Sequence, residues 1–234
     1  MDRGPSSFPP ASFLGALADR DRDTVLAAGH TRMHRSGTIL CREGDPPIGV
    51  HLILSGVVKL TKTAPSGREA LLELRSAGDV LGDMSVVDGE HQSANAIATS
   101  DVEVLAVSGE AFEELLATSP AIARSLLGVV VRRLRQASDR QLELGTIEVM
   151  GRVCGRLVEL AATRGEPAAG GVLIRGSLSQ QELADWSGAS RDGVVRAFNE
   201  LRDLGIIDSG RNRVLIRDLP AVRKRAGLEP QEKA

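Results

Sequence analysis

Residues 179–201 read SQQELADWSGASRDGVVRAFNEL, and the helix starts and stops in this stretch decide the fold. Ser179 with Glu182 three residues on is a capping box, in which serine and glutamate satisfy each other's free backbone N–H groups. A helix therefore begins just after Ser179, with Leu183 and Ala184 facing inward. Gly188 ends it about two turns later, because glycine enters the left-handed conformation that closes a helix. Ser190 then caps a second helix whose apolar stripe is Val194, Val195, Phe198 and Leu201. Two short helices joined at a glycine turn form a helix-turn-helix. Arg191, Asp192 and Arg196 fall on the solvent side of the second helix's first two turns. Base-reading side chains sit there when a helix enters the major groove by its N-terminus.

The next stretch, GIIDSGRNRVLIRD (205–218), reads as a hairpin with Gly210, Arg211, Asn212 and Arg213 at its tip. A basic tip of this kind suits phosphate contacts. Charge along the chain points the same way. Residues 1–150 hold 15 Lys and Arg against 20 Asp and Glu, a net −5; residues 151–234 hold 14 against 11, a net +3. An acidic front and a basic back place nucleic-acid contact in the back.

Upstream, residues 120–145 carry a long helical period. Leu127, Val130, Leu134, Ala137, Gln141 and Leu144 alternate spacings of three and four, an a/d seam that buries itself best against a second copy. Arg132, Arg133 and Arg135 flank it. Pro120 opens this helix, and Ser108 caps a shorter one before it. A hinge is expected over 145–151, then a helix in RVCGRLVELAAT (152–163), a flexible loop in RGEPAAGG (164–171) and a short strand in VLIRG (172–176).

Between residues 31 and 107 the pattern is of β-formers. GTILC, GVHLILSG, VVKLTKT, ALLELR, ANAIAT and VEVLAV are separated by turns at residues 43–45, 55–56, 65–67, 78–79 and 88–89. Strands at this spacing with glycine turns predict an antiparallel barrel or roll. Residues 11–30 predict one or two short helices, and the N-terminal stretch MDRGPSSFPPASFLGAL (1–17) reads as a short disordered lead-in.

The segment SRDGVVRAF (190–198) resembles the recognition helix of the Crp/Fnr family, relatives of the bacterial cyclic AMP receptor protein. Glu43 to Asp45 and GDVLGDMSVVDG (78–89) match the family's roll turns in place and order, so the resemblance runs from about residue 12 onward. It implies an α+β chain with an N-terminal antiparallel β-roll (12–118), a long dimerisation helix and hinge (119–150) and a C-terminal winged helix-turn-helix (151–234). By this resemblance Arg191 takes a guanine, Asp192 accepts from a cytosine amino group, and Arg196 reaches a second base or a phosphate, in line with the groove's donor and acceptor code. The family has Glu at Asp192 and Thr at Gly193, where a methyl would touch thymine. Ser179, Gln180, Arg211 and Arg213 complete the candidate DNA contacts. The implied partners are double-stranded DNA bearing an inverted repeat, a second copy of the chain and RNA polymerase.

The resemblance also implies a nucleotide cradle, and here the sequence departs from the family. Gly82, Asp83, Met84 and Ser85 match the cradle's first part; Gln92, Ser93 and Ala94 match its second. The family's Glu, which binds the ribose, is Asp83. Its Arg, which pairs with the cyclic phosphate, is Gln92, and no Arg or Lys occurs from Gly78 to Ala96. The Thr-Ser pair that contacts adenine is Ala137-Ser138. Arg133 and Ser138 complete the candidate ligand set. A hydrogen bond to a charged group contributes about 1.5–3 kcal/mol against about 1 for a neutral one, and breaking a buried ion pair costs about 3–5 kcal/mol. At about 1.4 kcal/mol per tenfold, a micromolar cyclic AMP site becomes nearly millimolar. The effector stays open: none, a cyclic dinucleotide, or a cyclic mononucleotide bound weakly.

Other classes fit less well. No apolar run reaches the ~18 residues of a membrane span, so a cytoplasmic protein is expected. Cys41 and Cys154 are too few and too far apart for a metal cluster. Both are expected to be buried apolar residues. Asp83, Ser85 and His91 suggest a hydrolase only in composition, since no nucleophile elbow accompanies them. A ligand-binding module without DNA affinity is the remaining alternative, and Arg191 and Arg196 argue against it.

Overall fold

The computed structural model describes residues 8–64, 67, 69–176, 178–210 and 213–228. Its contacts divide the chain into two compact units, residues 1–137 and 138–234.

The first unit opens with α1 (Asp19–Ala27), then β1 (His30–His34), β2 (Ile39–Cys41), β3 (Gly49–Ser55), β4 (Val58–Thr63), β5 (Glu69–Arg75) and β6 (Val80–Leu81). A short helix, α2 (Asp83–Asp88), precedes β7 (Asn95–Ala98), β8 (Val102–Ser108), α3 (Gly109–Thr118) and α4 (Pro120–Thr146). Two antiparallel sheets form, ordered β1-β8-β3-β6 and β2-β7-β4-β5. This is the β-roll that the turn spacing predicts. Ile53, Val58, Leu81, Ala96, Ala98, Val102 and Val104 pack into one apolar cluster. Phe13, Leu14, Leu52, Phe112, Ile122, Leu126 and Val129 form a larger one that joins strands to helices.

Three parts of this unit escaped the sequence pattern. β1 is an edge strand with four of its five residues exposed, so it lacks the alternation that marks a half-buried strand. Residues 83–88 form α2 rather than a turn, because Gly82 and Gly89 adopt left-handed φ of 76° and 74° and fold the chain tightly at both ends. The expected lead-in is instead core from Phe8 on: Phe13 and Leu14 are fully buried, and Ser12 Oγ donates to Pro9 O at 2.7 Å.

α4 presents two stripes within this unit. Ile122, Ser125, Leu126 and Val129 are buried, and Ser125 Oγ donates to Phe13 O at 2.9 Å. The stripe of the seam is exposed, with Leu127 at 62% and Leu134 at 67%. A helix apolar on two sides has one side left over after packing on its own roll.

The second unit holds the end of α4, then α5 (Val149–Arg164), β9 (Gly165–Ala168), β10 (Gly171–Arg175), α6 (Gln180–Ser187), α7 (Arg191–Asp203), β11 (Ile207–Gly210), β12 (Arg213–Ile216) and α8 (Leu219–Arg225). The strands form one antiparallel sheet ordered β11-β12-β10-β9. The loop expected over 164–171 is partly strand, since β9 pairs with β10 from Gly171 opposite Ala168 to Ile174 opposite Gly165. Pro167 is tolerated because β9 is the sheet's edge. Helical pairing ends at Thr146 and resumes at Val149, so the break within the expected hinge is Ile147-Glu148.

The capping box forms as the sequence requires. Ser179 Oγ accepts from Glu182 N at 3.1 Å, and Glu182 Oε2 accepts from Ser179 N at 2.9 Å. Replacing Ser179 by Ala is expected to lower the unfolding free energy by about 1 kcal/mol. Urea unfolding of the variant checks this, and an unchanged midpoint would show that the cap is dispensable. Gly188 closes α6 with φ 60°, and Arg152 fixes the turn by donating to Ser187 O at 2.8 Å and Gly188 O at 3.0 Å.

Candidate nucleic-acid interface and ligand cavity

α7 is built to show one face to solvent. Ser190 Oγ accepts from Gly193 N at 3.1 Å and fixes the helix start. Val194, Ala197, Phe198 and Leu201 are buried, while Arg191, Asp192 and Arg196 are exposed. The structure therefore brings the three expected base-reading side chains onto one exposed face in the first two turns of one helix. Ser179 and Gln180 are exposed at the start of α6, and Arg213 is exposed at the start of β12. Arg211 lies outside the described residues. Gly193 is in the first turn of α7. It is buried, and a Cβ there would stand 3.2 Å from Val149 Cγ1. Glycine here spares a tight contact with Val149 on the interior side.

In the first unit, α2 and the segment before β7 enclose a cavity of about 60 Å³. Gly82, Asp83, Met84, Ser85, Gln92, Ser93, Ala94 and Arg133 all line it, so the candidate ligand residues are together, Ser138 excepted. Ser138 is exposed on α4 in the second unit. Gln92 is 8% exposed. Its backbone is pinned by the 43–45 turn, donating to Asp45 O and accepting from Gly44 N at 2.8 Å each. Its side chain lies over Gly82, where a Cβ would be 3.4 Å from Nε2 and 2.8 Å from Gly49 O. Ser85 Oγ donates to His91 O at 3.2 Å, while His91 itself is exposed. The volume exceeds the ~10–15 Å³ that one water needs but is far below the ~300–1,000 Å³ of a drug-sized ligand site.

The cradle is less short of positive charge than its own stretch indicates. Arg133 reaches in from α4 and donates to Asp83 Oδ2 at 2.6 Å and to Val80 O at 3.0 Å. Arg75, at the end of β5, also lines the cavity and pairs with Glu73. The sequence reading missed Arg75, which looks like the solvated end of a strand before the Ser76–Asp79 turn. Its one signal was the acid four residues on: Asp79 is half-buried and accepts from Ser76 N at 2.9 Å. Burial pushes the Arg75 pKa down, and the Arg133 charge adds to this; Glu73, Asp79 and Asp83 oppose it. Burial pushes the Asp79 carboxyl up, against the Ser76 N–H and the two guanidinium groups.

The two cysteines differ. Cys154 is buried as expected, whereas Cys41 is only half-buried and lines the cavity, because β2 is at the edge of its sheet. Burial raises the Cys41 thiol to about 11 and keeps it protonated. Its Sγ is 3.8 Å from His51 Nδ1. Among the described residues, no three His, Cys, Asp or Glu side chains are grouped to hold a metal ion. No single helix among them is long and apolar enough to cross a membrane.

Family comparison follows the same division. A cyclic nucleotide-binding domain model matches residues 31–119, and a Crp-like helix-turn-helix domain model matches residues 151–225. The chain belongs to the Crp/Fnr family. It is 31% identical to the CRP-like cAMP-activated global transcriptional regulator of Mycobacterium tuberculosis, over 92% of each chain. It is also 31% identical to the Cyclic AMP receptor protein of Thermus thermophilus, over 86% of this chain and 90% of that one. Among solved structures, FixK2 from Bradyrhizobium japonicum superposes with a TM-score of 0.72 at 25% identity, covering 84% of this chain and 96% of that one. This Crp/Fnr chain is thus a DNA-binding transcription regulator with a cyclic nucleotide-binding domain, not an enzyme.

Proposed function

We propose that the chain acts as a cytoplasmic homodimer that binds an inverted-repeat operator and regulates transcription there. One observation carries this reading: Arg191, Asp192 and Arg196 are exposed together on the first two turns of a serine-capped α7. Arg191 reads guanine, Asp192 accepts from cytosine, and Arg196 takes a second base or a phosphate. Ser179, Gln180, Arg211 and Arg213 hold the backbone. The exposed stripe of Leu127, Val130 and Leu134 on α4 supports pairing with a second copy. In this reading residues 12–118 sense, 119–150 join the dimer and transmit, and 151–234 bind DNA. RNA polymerase is the expected further partner. A gel shift on genomic fragments tests the DNA role: salt-sensitive binding to a subset of fragments supports it, and uniform binding or none contradicts it.

For the effector, we propose that cyclic AMP is not a tight activator. Gln92 faces the cavity where the family's phosphate-binding Arg stands, Asp83 is already held by Arg133, and Ala137 replaces the Thr of the adenine pair. These departures support regulation without an effector, or by another nucleotide such as a cyclic dinucleotide. The second reading, cyclic mononucleotide control at reduced affinity, draws support from the cAMP-activated relatives and from the retained Ser93. Calorimetry with cyclic AMP is expected to give a dissociation constant well above the low-micromolar range. A low-micromolar value would overturn the weak-effector reading.

A further inference from the structure

Arg75 is a buried cation that the packing of the β-roll does not explain. Its residue exposure is 7%, and its Nε is buried with no hydrogen-bond partner. Removing a guanidinium from water is costly, and a well-packed apolar side chain of similar volume is often as stable or more so. The neighbouring charges are Glu73, Asp79, Asp83 and Arg133. Arg133 is committed to Asp83 and Val80. Arg75 is held by Glu73, whose side chain keeps 21% of its surface exposed. That carboxylate can return to water at small cost, so Arg75 is the guanidinium whose partner is exchangeable.

Arg75 borders the same cavity as Gly82, Ser85, Gln92 and Ser93. The cavity has room for a phosphate-sized group and not for a whole nucleotide, so the rest of a ligand would stand at the mouth, beside the exposed Met84. We propose that Arg75 replaces the cation lost at Gln92 and holds the phosphate of a nucleotide ligand. The positive charge has moved within the cavity rather than left it. This rests on the cavity being a ligand site and is independent of how DNA is read.

The test is calorimetry on the full chain with cyclic AMP, cyclic GMP, cyclic di-GMP and inorganic phosphate as probes, each up to millimolar. At least one nucleotide should bind. Arg75→Gln should weaken it by about tenfold or more, a loss of ~1.4 kcal/mol or more. Arg75→Lys should lose less, and the double variant Arg75→Gln/Gln92→Arg should regain most of the affinity because the charge returns to the same cavity. Gln92→Arg alone should raise cyclic AMP affinity. Thermal unfolding checks that each variant is folded. Should Arg75→Gln fail to fold, Glu73→Gln serves instead, and freeing Arg75 should tighten binding several-fold. No binding by any probe, equal affinity in Arg75→Gln, failure of Gln92→Arg to restore it, or unchanged affinity in Glu73→Gln would each overturn the proposal. Tight cyclic AMP binding that depends on Arg75 would support it while contradicting the weak-effector reading above.

Discussion

Replacing Arg156 by Ala is expected to lower the stability of the second unit by about 3 kcal/mol or more, and replacing it by Met by clearly less. Arg156 is 3% exposed on α5 and pairs with Glu143, near the end of α4, and with Glu159. Its guanidinium lies 5.6 Å from the centroid of the Trp186 ring on α6, and Arg140 lies 6.0 Å from the same ring. One side chain thus joins three helices. Breaking a buried ion pair costs about 3–5 kcal/mol. The low end applies here, because Glu143 and Glu159 keep 28% and 38% of their side-chain surface exposed and can resolvate. Methionine keeps much of the contact with the indole, whereas alanine opens a void beside it. Trp186 is the only tryptophan of the chain, so its fluorescence follows urea unfolding of this unit directly. A loss under about 1 kcal/mol for Arg156→Ala would show that the cluster is not a structural joint.

The second large effect concerns operator binding. Each base contact by Arg191 or Arg196 is expected to contribute about 1–3 kcal/mol, so Arg191→Ala/Arg196→Ala should reduce specific affinity by a hundredfold or more. The side chains are exposed and their helix is held by buried Val194, Phe198 and Leu201, so the variant should keep its unfolding midpoint. Arg213→Ala should behave differently: a phosphate contact weakens all sequences alike and lowers the salt slope by about one. Fluorescence anisotropy on specific and scrambled duplexes at several salt concentrations separates the two. Equal loss on both duplexes in the Arg191→Ala/Arg196→Ala variant would remove α7 from the role of reader.

Local grammar carried most of the DNA-binding half in the sequence. The Ser179 box, the Gly188 stop and the Ser190 cap each depend on neighbours within four residues, and all three form. The roll's two sheets were legible as turns and β-formers, but their edges were not. β1 has no buried face to impose alternation, and β9 contains a proline that only an edge strand tolerates. The cradle was legible as a motif, and its wider lining only in part. Arg75 and Arg133 stand outside residues 78–96 and reach the cavity only through tertiary packing of β5 and α4. Arg133 was among the expected ligand residues, whereas little in the residues around Arg75 marked it as one.

Footprinting of the purified chain on a genomic fragment it selects tests the central claim most directly. The account calls for two protected half-sites related by inverted symmetry, their centres about one helical turn (~34 Å) apart, with both lost together in Arg191→Ala/Arg196→Ala. A single unpaired site, or protection that survives the loss of both arginines, would contradict it.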